Sequence, residues 1–189
     1  MLSVAYRNPA TELDEPTLRR AVAGDADAAR RLVELYQTRV FALVSRMLAG
    51  RGRATIEDAA QDTFLDVFRQ LARFSPAGPA KLSTWILTIA ARRSIDELRR
   101  RRPSLLPDPE RQGGDRADDR TVQRELAAAI EAAVRDLSPE LRAAFLLREY
   151  HELEYSEIAT ALEIDLGTVK SRLSRARAAL RERLAEVKP

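Results

Sequence analysis

The stretch from Tyr155 to Arg183, YSEIATALEIDLGTVKSRLSRARAALRER, limits the fold more than any other part of the chain. A short apolar-periodic run is followed by a tight break and then by a longer run loaded with arginine. Two helices across a tight turn, the second one cationic, form the layout of a helix-turn-helix whose second helix enters a DNA major groove. Lys170, Arg172, Arg175, Arg177, Arg181 and Arg183 fall on that second helix, and after Asp165 the segment offers Glu182 and little else as an acidic partner. Charged helix positions are ordinarily a solvated face. A run of cations with so few acids beside it fits a polyanion better. Thr168, Lys170, Ser171, Ser174 and Arg175 lie near the N-terminal end of this helix, with 171 and 175 sharing one face and 170 and 174 another. Leu166, Val169, Leu173 and Leu180 are expected to face the core. The first backbone N–H groups, at Gly167 and Thr168, offer a phosphate the positive end of the helix.

Composition narrows the alternatives. The 189 residues suffice for one larger or two small domains, and a formal charge of +3 makes distribution more telling than the total. There is no cysteine, which removes disulfides, thiolate zinc sites and cysteine nucleophiles. With His151 the single histidine, a histidine metal site or a Ser/His triad has no second member to build on. No apolar run approaches the roughly 20 residues that span a bilayer. The first residues, MLSVAYRNPATELDEPT, lack the charged start and apolar middle of a signal peptide, so a soluble cytoplasmic protein without membrane insertion is expected. Three lysines, at 81, 170 and 188, stand among arginines, a bias that weakens arguments from arginine choice alone.

Along the chain, residues 1–23 read as an N-terminal arm with Pro9 and Pro16. A helix follows Asp25 as N-cap, carries Leu32, Val33, Tyr36, Val40, Phe41, Val44, Met47 and Leu48, and stops near Gly50. A second is expected to begin at Thr55 with Asp58 completing a capping box. Its apolar face is Ala60, Phe64, Val67, Phe68 and Leu71, and Glu57, Asp58, Gln61, Asp62 and Asp66 make the opposite, acidic side. After a Pro/Gly loop, Phe74 to Leu82, a third helix starts near Ser83 or Thr84 and ends in Arg99 to Arg102. It buries Trp85, Ile86, Ile89, Ala90 and Leu98. Residues 103–119 contain three prolines, two glycines and five acids against two arginines, without periodicity, and read as a linker. From Arg120 helical spacing resumes, and Ser138-Pro139 is a helix start with Ser at N-cap and Pro at N1. The expectation is an all-α protein: an N-terminal helix bundle over 24–102 and a C-terminal helix-turn-helix bundle over 120–189, joined by a flexible linker. No carboxylate pairs with a nucleophile, a metal ligand or a glycine-rich loop in this pattern. No catalytic residue, metal or cofactor is expected.

Four stretches resemble the extracytoplasmic function sigma factors, a group of the bacterial sigma-70 family. They are EDAAQDTFLDVFRQL (Glu57 to Leu71), LSTWILTIAARRSIDELRRRR (Leu82 to Arg102), LSPELRAAFLLRE (Leu137 to Glu149) and the terminal helix pair. Their order and spacing are similar to that family's region 2, linker and region 4, over roughly Gly24 to Leu184. The resemblance implies an RNA polymerase subunit that directs promoter recognition, melting and initiation and is not itself an enzyme. It implies docking on the β′ clamp helices through Asp58, Gln61, Asp62 and Leu65, and a further contact with the β flap. Lys81, Thr84, Trp85, Arg92, Arg93, Asp96 and Arg99 fall at positions that meet −10 DNA, including a flipped base of the melted non-template strand. Thr168, Lys170, Ser171, Arg172, Ser174 and Arg175 fall on the reader of duplex −35 DNA. The acidic linker matches the segment that threads toward the RNA exit channel, and an anti-sigma factor is implied as a regulatory partner. Two positions depart from the pattern. Ala91-Arg92 stands where the family often has Arg-Asn, which implies an altered −10 contact. Glu163 stands where glycine is common in the turn, and a non-glycine in a left-handed turn costs about 1 kcal/mol. No further C-terminal domain is expected after the recognition helix.

Two other readings use the same residues. A free-standing helix-turn-helix regulator would bind duplex DNA without polymerase, usually at a two-fold operator. An interaction adaptor with merely solvated arginines would show no salt-dependent DNA binding.

Overall fold

The structure, a computed structural model, describes residues 12–78, 80–100 and 122–185. Among them every regular element is helical: α1 (Glu15–Val22), α2 (Ala26–Met47), α3 (Arg53–Gln70) with a 3-10 turn at Leu71–Arg73, α4 (Leu82–Arg100), α5 (Val122–Arg135), α6 (Pro139–Glu149), α7 (Tyr155–Leu162) and α8 (Leu166–Ala185). The expected linker, 103–119, lies outside the described residues.

Local chemistry explains most helix starts. Asp25 accepts the Ala28 N–H at 2.8 Å and caps α2 as expected. Ser138 caps α6 with Pro139 in the first turn. The expected start of α3 is displaced, because the helix runs back through Ala54 and Arg53 to Gly52 and the Thr55–Asp58 capping box does not form. Alanine and arginine are good helix formers, so nothing stops the helix before the glycine. Residues 15–22, expected within the arm, form a helix instead, because Asp14 accepts both the Thr17 N–H and its hydroxyl. Leu18 and Ala21 of α1 are buried in the core.

Residues before α1 also have work to do. Glu12 accepts the backbone N–H and the hydroxyl of Ser83 and the hydroxyl of Tyr36. A carboxylate thus sits at the N-terminus of α4, where unpaired N–H groups and the helix dipole favour negative charge.

The first bundle packs α2 against α3 and α4 around Leu32, Val40, Leu43, Val44, Val67, Ile86, Leu87 and Ala90. The second closes α6, α7 and α8 around Ala143, Leu146, Leu147, Ile158, Val169 and Leu173. The bundles meet along α2 and α4 on one side and α6 and α7 on the other. One buried apolar cluster runs through both.

Arg142 pins this seam. Only 6 % exposed, its guanidinium donates to the carbonyls of Met47, Arg135 and Leu137. Met47 ends α2, and the last carbonyls of a helix lack intrahelical partners and carry partial negative charge. A buried cation there satisfies acceptors that would otherwise be stranded. Burial lowers the pKa of Arg142 from its ordinary value. His151 lies in the same seam and is buried, with neither ring nitrogen hydrogen-bonded among the described residues.

Candidate nucleic-acid and polymerase interfaces

The outer face of α8 carries most of the residues expected to read duplex DNA. Lys170, Ser171, Ser174 and Arg175 are exposed together near its N-terminal end, while Val169, Leu173, Ala176 and Leu180 are buried beneath them. Arg175 leans on its own helix, its Nε 3.3 Å from the Ser171 carbonyl. Thr168 and Arg172 are half-buried. Two expectations change. Leu166 is 44 % exposed rather than buried, because it opens the helix on the outer side of the turn. The phosphate cradle at Gly167 and Thr168 is already occupied: Asp165 accepts the Thr168 N–H at 2.8 Å and its hydroxyl at 2.5 Å. These bonds from Thr168 hold the Asp165 carboxyl below its usual pKa. A fixed carboxylate now satisfies the helix terminus, so phosphate is left to the side-chain cations.

Acidic partners missing from the α8 sequence arrive from α6 and from the turn after α5. Arg177 pairs with Glu149 of α6 at 2.7 Å, and Arg183 with Asp136 at 3.3 Å. Those two arginines brace the bundle. Lys170 and Arg175 stay on the free surface.

On α4 the expected −10 residues divide. Lys81, Asp96 and Arg99 are exposed, Trp85, Arg92 and Arg93 are half-buried, and Thr84 is 3 % exposed. The Trp85 ring lies 5.4 Å from that of Phe74, tilted by 46°. Phe74 thereby anchors the loop before α4 to the helix start.

The three arginines are all engaged. Arg93 reaches back to α3 and bridges Asp62 and Asp66, the latter at 3.0 Å. Arg92 donates to the Ala161 carbonyl at 3.1 Å and pairs with Glu163 at 2.9 Å. Arg99 pairs with Glu140 at 2.7 Å. Thr84 donates its hydroxyl to Glu157 at 3.0 Å. Ala161, Glu163 and Glu157 belong to α7 or its C-cap, and Glu140 to α6. Burial raises the Glu140 pKa, but the hydrogen bond from Arg99 and the charges of Arg99 and Arg172 outweigh it, and the net shift is downward.

On α3, Asp58, Gln61 and Leu65 are exposed on one outward face, and Asp62 turns toward Arg93. Sequence reasoning set the acidic side opposite Phe64 and Phe68. In three dimensions Glu57, Gln61 and Leu65 join those rings along one open groove of about 790 Å³, whose far wall is Val33, Gln37 and Phe41 of α2. Phe41, expected in the core, is 44 % exposed and Leu65 is 46 % exposed. The missed signal was the width of the apolar arc on α2. Val33 and Phe41 lie two turns apart on a flank of the Leu32/Tyr36/Val40 stripe, more than one core face needs.

Residues 32–103 match the family described as Sigma-70 region 2, and residues 127–180 that described as Sigma-70, region 4. The chain is 31 % identical over 183 residues to the ECF RNA polymerase sigma factor SigW of Bacillus subtilis, spanning 90 % of this chain and 96 % of that one. It is 33 % identical to the RNA polymerase sigma-H factor of Pseudomonas aeruginosa, spanning 89 % and 92 %. Its fold is similar to that of CnrH in complex with the cytosolic domain of CnrY, with a TM-score of 0.67 at 23 % identity, over 93 % and 99 % of the two chains. The sigma factor RpoE of Bartonella quintana, in complex with the anti-sigma factor NepR, gives 0.60 at 22 % identity, over 84 % and 98 %. The chain belongs to the extracytoplasmic function group of the sigma-70 family. It is an RNA polymerase sigma factor that directs promoter-specific transcription initiation, with core polymerase and promoter DNA as partners. Among the described residues no helix is long and apolar enough to cross a membrane.

Proposed function

We propose a division of labour among three surfaces of this sigma factor. The α3 face of Asp58, Gln61, Asp62 and Leu65, with the adjoining Phe41–Phe64–Phe68 groove, docks on the β′ clamp helices of core polymerase. Lys81, just before α4, and the α4 residues Thr84, Trp85, Arg92, Arg93, Asp96 and Arg99 meet −10 DNA and its melted non-template strand. The α8 residues Thr168, Lys170, Ser171, Arg172, Ser174 and Arg175 hold duplex −35 DNA, with the second bundle resting on the β flap. Phosphate neutralisation supplies sequence-independent affinity, and side chains at base edges supply the choice of promoter.

The groove carries this reading. An exposed apolar trough with few charges on its rim, Glu57 and Arg46, offers little to a phosphate backbone and suits a helix with apolar anchors. A free-standing helix-turn-helix regulator would use the same groove for a ligand or a second copy, so polymerase binding separates the two readings. The factor acts in the cytoplasm, performs no bond chemistry and leaves RNA synthesis to polymerase. An anti-sigma factor is its expected inhibitor, in keeping with the partner named for the Bartonella protein.

Run-off transcription with core polymerase on the gene's own upstream region tests the reading. Leu65→Asp and Phe41→Asp should each abolish polymerase binding and transcripts while leaving thermal stability near that of the wild type, since both side chains are exposed. Undiminished polymerase affinity in both variants would remove the groove from the docking surface. A requirement for a second sigma factor would return the chain to the class of free-standing activators.

A further inference from the structure

The first turn of α4 has no cap of its own. Lys81, whose carbonyl accepts the Trp85 N–H at 3.0 Å, carries no acceptor in its side chain. The first N–H groups of a helix lack intrahelical partners, and a side-chain oxygen ordinarily satisfies one of them. Here the oxygen comes from 71 residues back in the chain. Glu12 accepts the Ser83 N–H at 3.2 Å on Oε2 and the Ser83 hydroxyl at 2.5 Å on Oε1. Its Oε2 also accepts the Tyr36 hydroxyl at 3.2 Å, and the phenol oxygen in turn accepts the Leu13 N–H at 3.0 Å.

These partners hold the carboxylate in one place. Ser83 and Tyr36 are both buried, and Tyr36 belongs to α2, so Glu12 ties the segment before α1 to α2 and to the start of α4. Burial, with the Glu12 charge beside it, pushes the Tyr36 phenol well above its usual pKa, and the phenol stays a donor to Glu12. The residues around Ser83 are Lys81, Thr84 and Trp85, three of the set assigned to −10 DNA. A helix turns about 100° per residue, so a frayed or shifted Ser83 would re-aim Thr84 and Trp85 directly. The Phe74–Trp85 ring contact fixes the far end of the same loop. The carboxylate has a second consequence. A helix N-terminus with free N–H groups takes any phosphate, whatever the base attached to it. With Glu12 in place, that end of α4 is filled by an anion of the protein's own.

We propose that Glu12 is a positioning residue for −10 recognition: it fixes the first turn of α4, and with it Lys81, Thr84 and Trp85, and it denies that helix terminus to a DNA phosphate. The proposal rests on the assignment of the start of α4 to −10 DNA made above. Its consequence is a matter of specificity. Losing Glu12 loosens the side chains that distinguish bases and frees N–H groups that grip the backbone without distinguishing them. Sequence-dependent binding should fall while sequence-independent binding holds or rises. A cap that served stability alone would lower the melting temperature and leave the choice of sequence as it was.

The test uses holoenzyme assembled from the full chain and core polymerase. Its probes are two single-stranded oligonucleotides: the non-template strand just upstream of the start mapped by run-off transcription, and a scramble of the same composition. Wild type should prefer the native strand. Glu12→Ala should lower that preference roughly 10-fold, the size of one lost base contact, with the scramble bound as well as before or better. Glu12→Gln keeps an acceptor for Ser83, so its preference should stay within about 3-fold of wild type. Preference for native over scrambled −35 duplex, read on α8, should not change in either variant, which separates a local effect at α4 from a loss of fold. A Glu12→Ala protein that melts earlier but keeps the wild-type −10 preference overturns the positioning role. So does a parallel loss at −10 and −35, and so do equal losses in Glu12→Ala and Glu12→Gln, since the bonds to Ser83 would then not be what matters. A wild type without any −10 preference overturns the assignment of α4 itself, and the positioning role with it.

Discussion

Helices α4 and α8 are both rich in arginine and both assigned to promoter DNA, yet the fold treats their charges differently. On α4, Arg92, Arg93 and Arg99 each hold a carboxylate, two of them across the seam. On α8, the cations that hold carboxylates are Arg177 and Arg183, in its later turns, while Lys170 and Arg175 face outward. A count of basic residues cannot separate a free DNA-binding face from a clasped one. What separates them is whether acids from another helix lie within reach. In this chain α3, α6 and α7 supply those acids to α4.

The largest expected effect comes from prying at the seam that keeps α4 covered. Burial, reinforced by the nearby charges of Arg39 and Arg46 on α2, lowers the His151 pKa from 6.5 to about 3. The folded value lies below the unfolded one, so between these limits the unfolded chain binds a proton that the folded chain refuses. Stability therefore falls as pH falls below 6.5, at about 1.4 kcal/mol per unit, or about 2 kcal/mol lost by pH ~5. Denaturant melts across that range should show this slope in wild type and lose it in His151→Leu. An equal slope in the variant would assign the acid sensitivity to other groups. Because α8 faces outward on the far side of its bundle's core, the salt dependence of its duplex binding should not follow this titration.

A second contrast sets one arginine of each helix against the other. Arg175→Ala should weaken −35 duplex binding by about 1–3 kcal/mol with little change in melting temperature or polymerase affinity. Arg93→Ala should instead destabilise the fold by about 1 kcal/mol, since a guanidinium only 30 % exposed is lost from Asp62 and from Asp66, the latter keeping Arg69 at 3.0 Å. Filter binding and thermal melts of both variants decide it. If Arg175→Ala melts early and Arg93→Ala does not, the division into a free and a clasped helix is wrong.

Helix placement was legible in the sequence wherever a cap or a break was local. Asp25, Ser138-Pro139 and the Leu162–Leu166 break declare themselves within a few residues, and α2, α6, α7 and α8 follow. The start of α3 was not legible, because a glycine without a capping side chain leaves no positive signal. The role of Glu12 was hidden by distance: its partner Ser83 lies 71 residues on. The polar outer face of α8, proposed here for −35 DNA, was readable because alternate faces of one helix suffice to define it. The fate of the α4 cations was not, because Glu140, Glu157 and Glu163 reach them only through tertiary packing. The groove at Phe41 was hidden for the opposite reason. Its residues look like core, and only the packing of α2 on α3 shows that they have no cover.

The smallest expected effect isolates what Glu163 contributes to this asymmetry. In the left-handed region a side chain costs about 1 kcal/mol relative to glycine. The pair that Glu163 makes with Arg92 is part-exposed and stabilises by about 0.2–1 kcal/mol. Glu163→Gly should thus leave global stability unchanged or raise it by up to about 0.8 kcal/mol, because the relief of backbone strain and the loss of the pair oppose each other. Glu163→Gln keeps the strain and removes the charge, so it should be the less stable of the two replacements. Calorimetric melts of the three proteins at low and high salt separate the contributions. The advantage of wild type over Glu163→Gln should shrink as salt screens the pair, whereas the gap between Glu163→Gly and Glu163→Gln, which is backbone strain, should not move. A gap that closes with salt would mean that the left-handed turn costs nothing here, and that Glu163 occupies a position no glycine would improve.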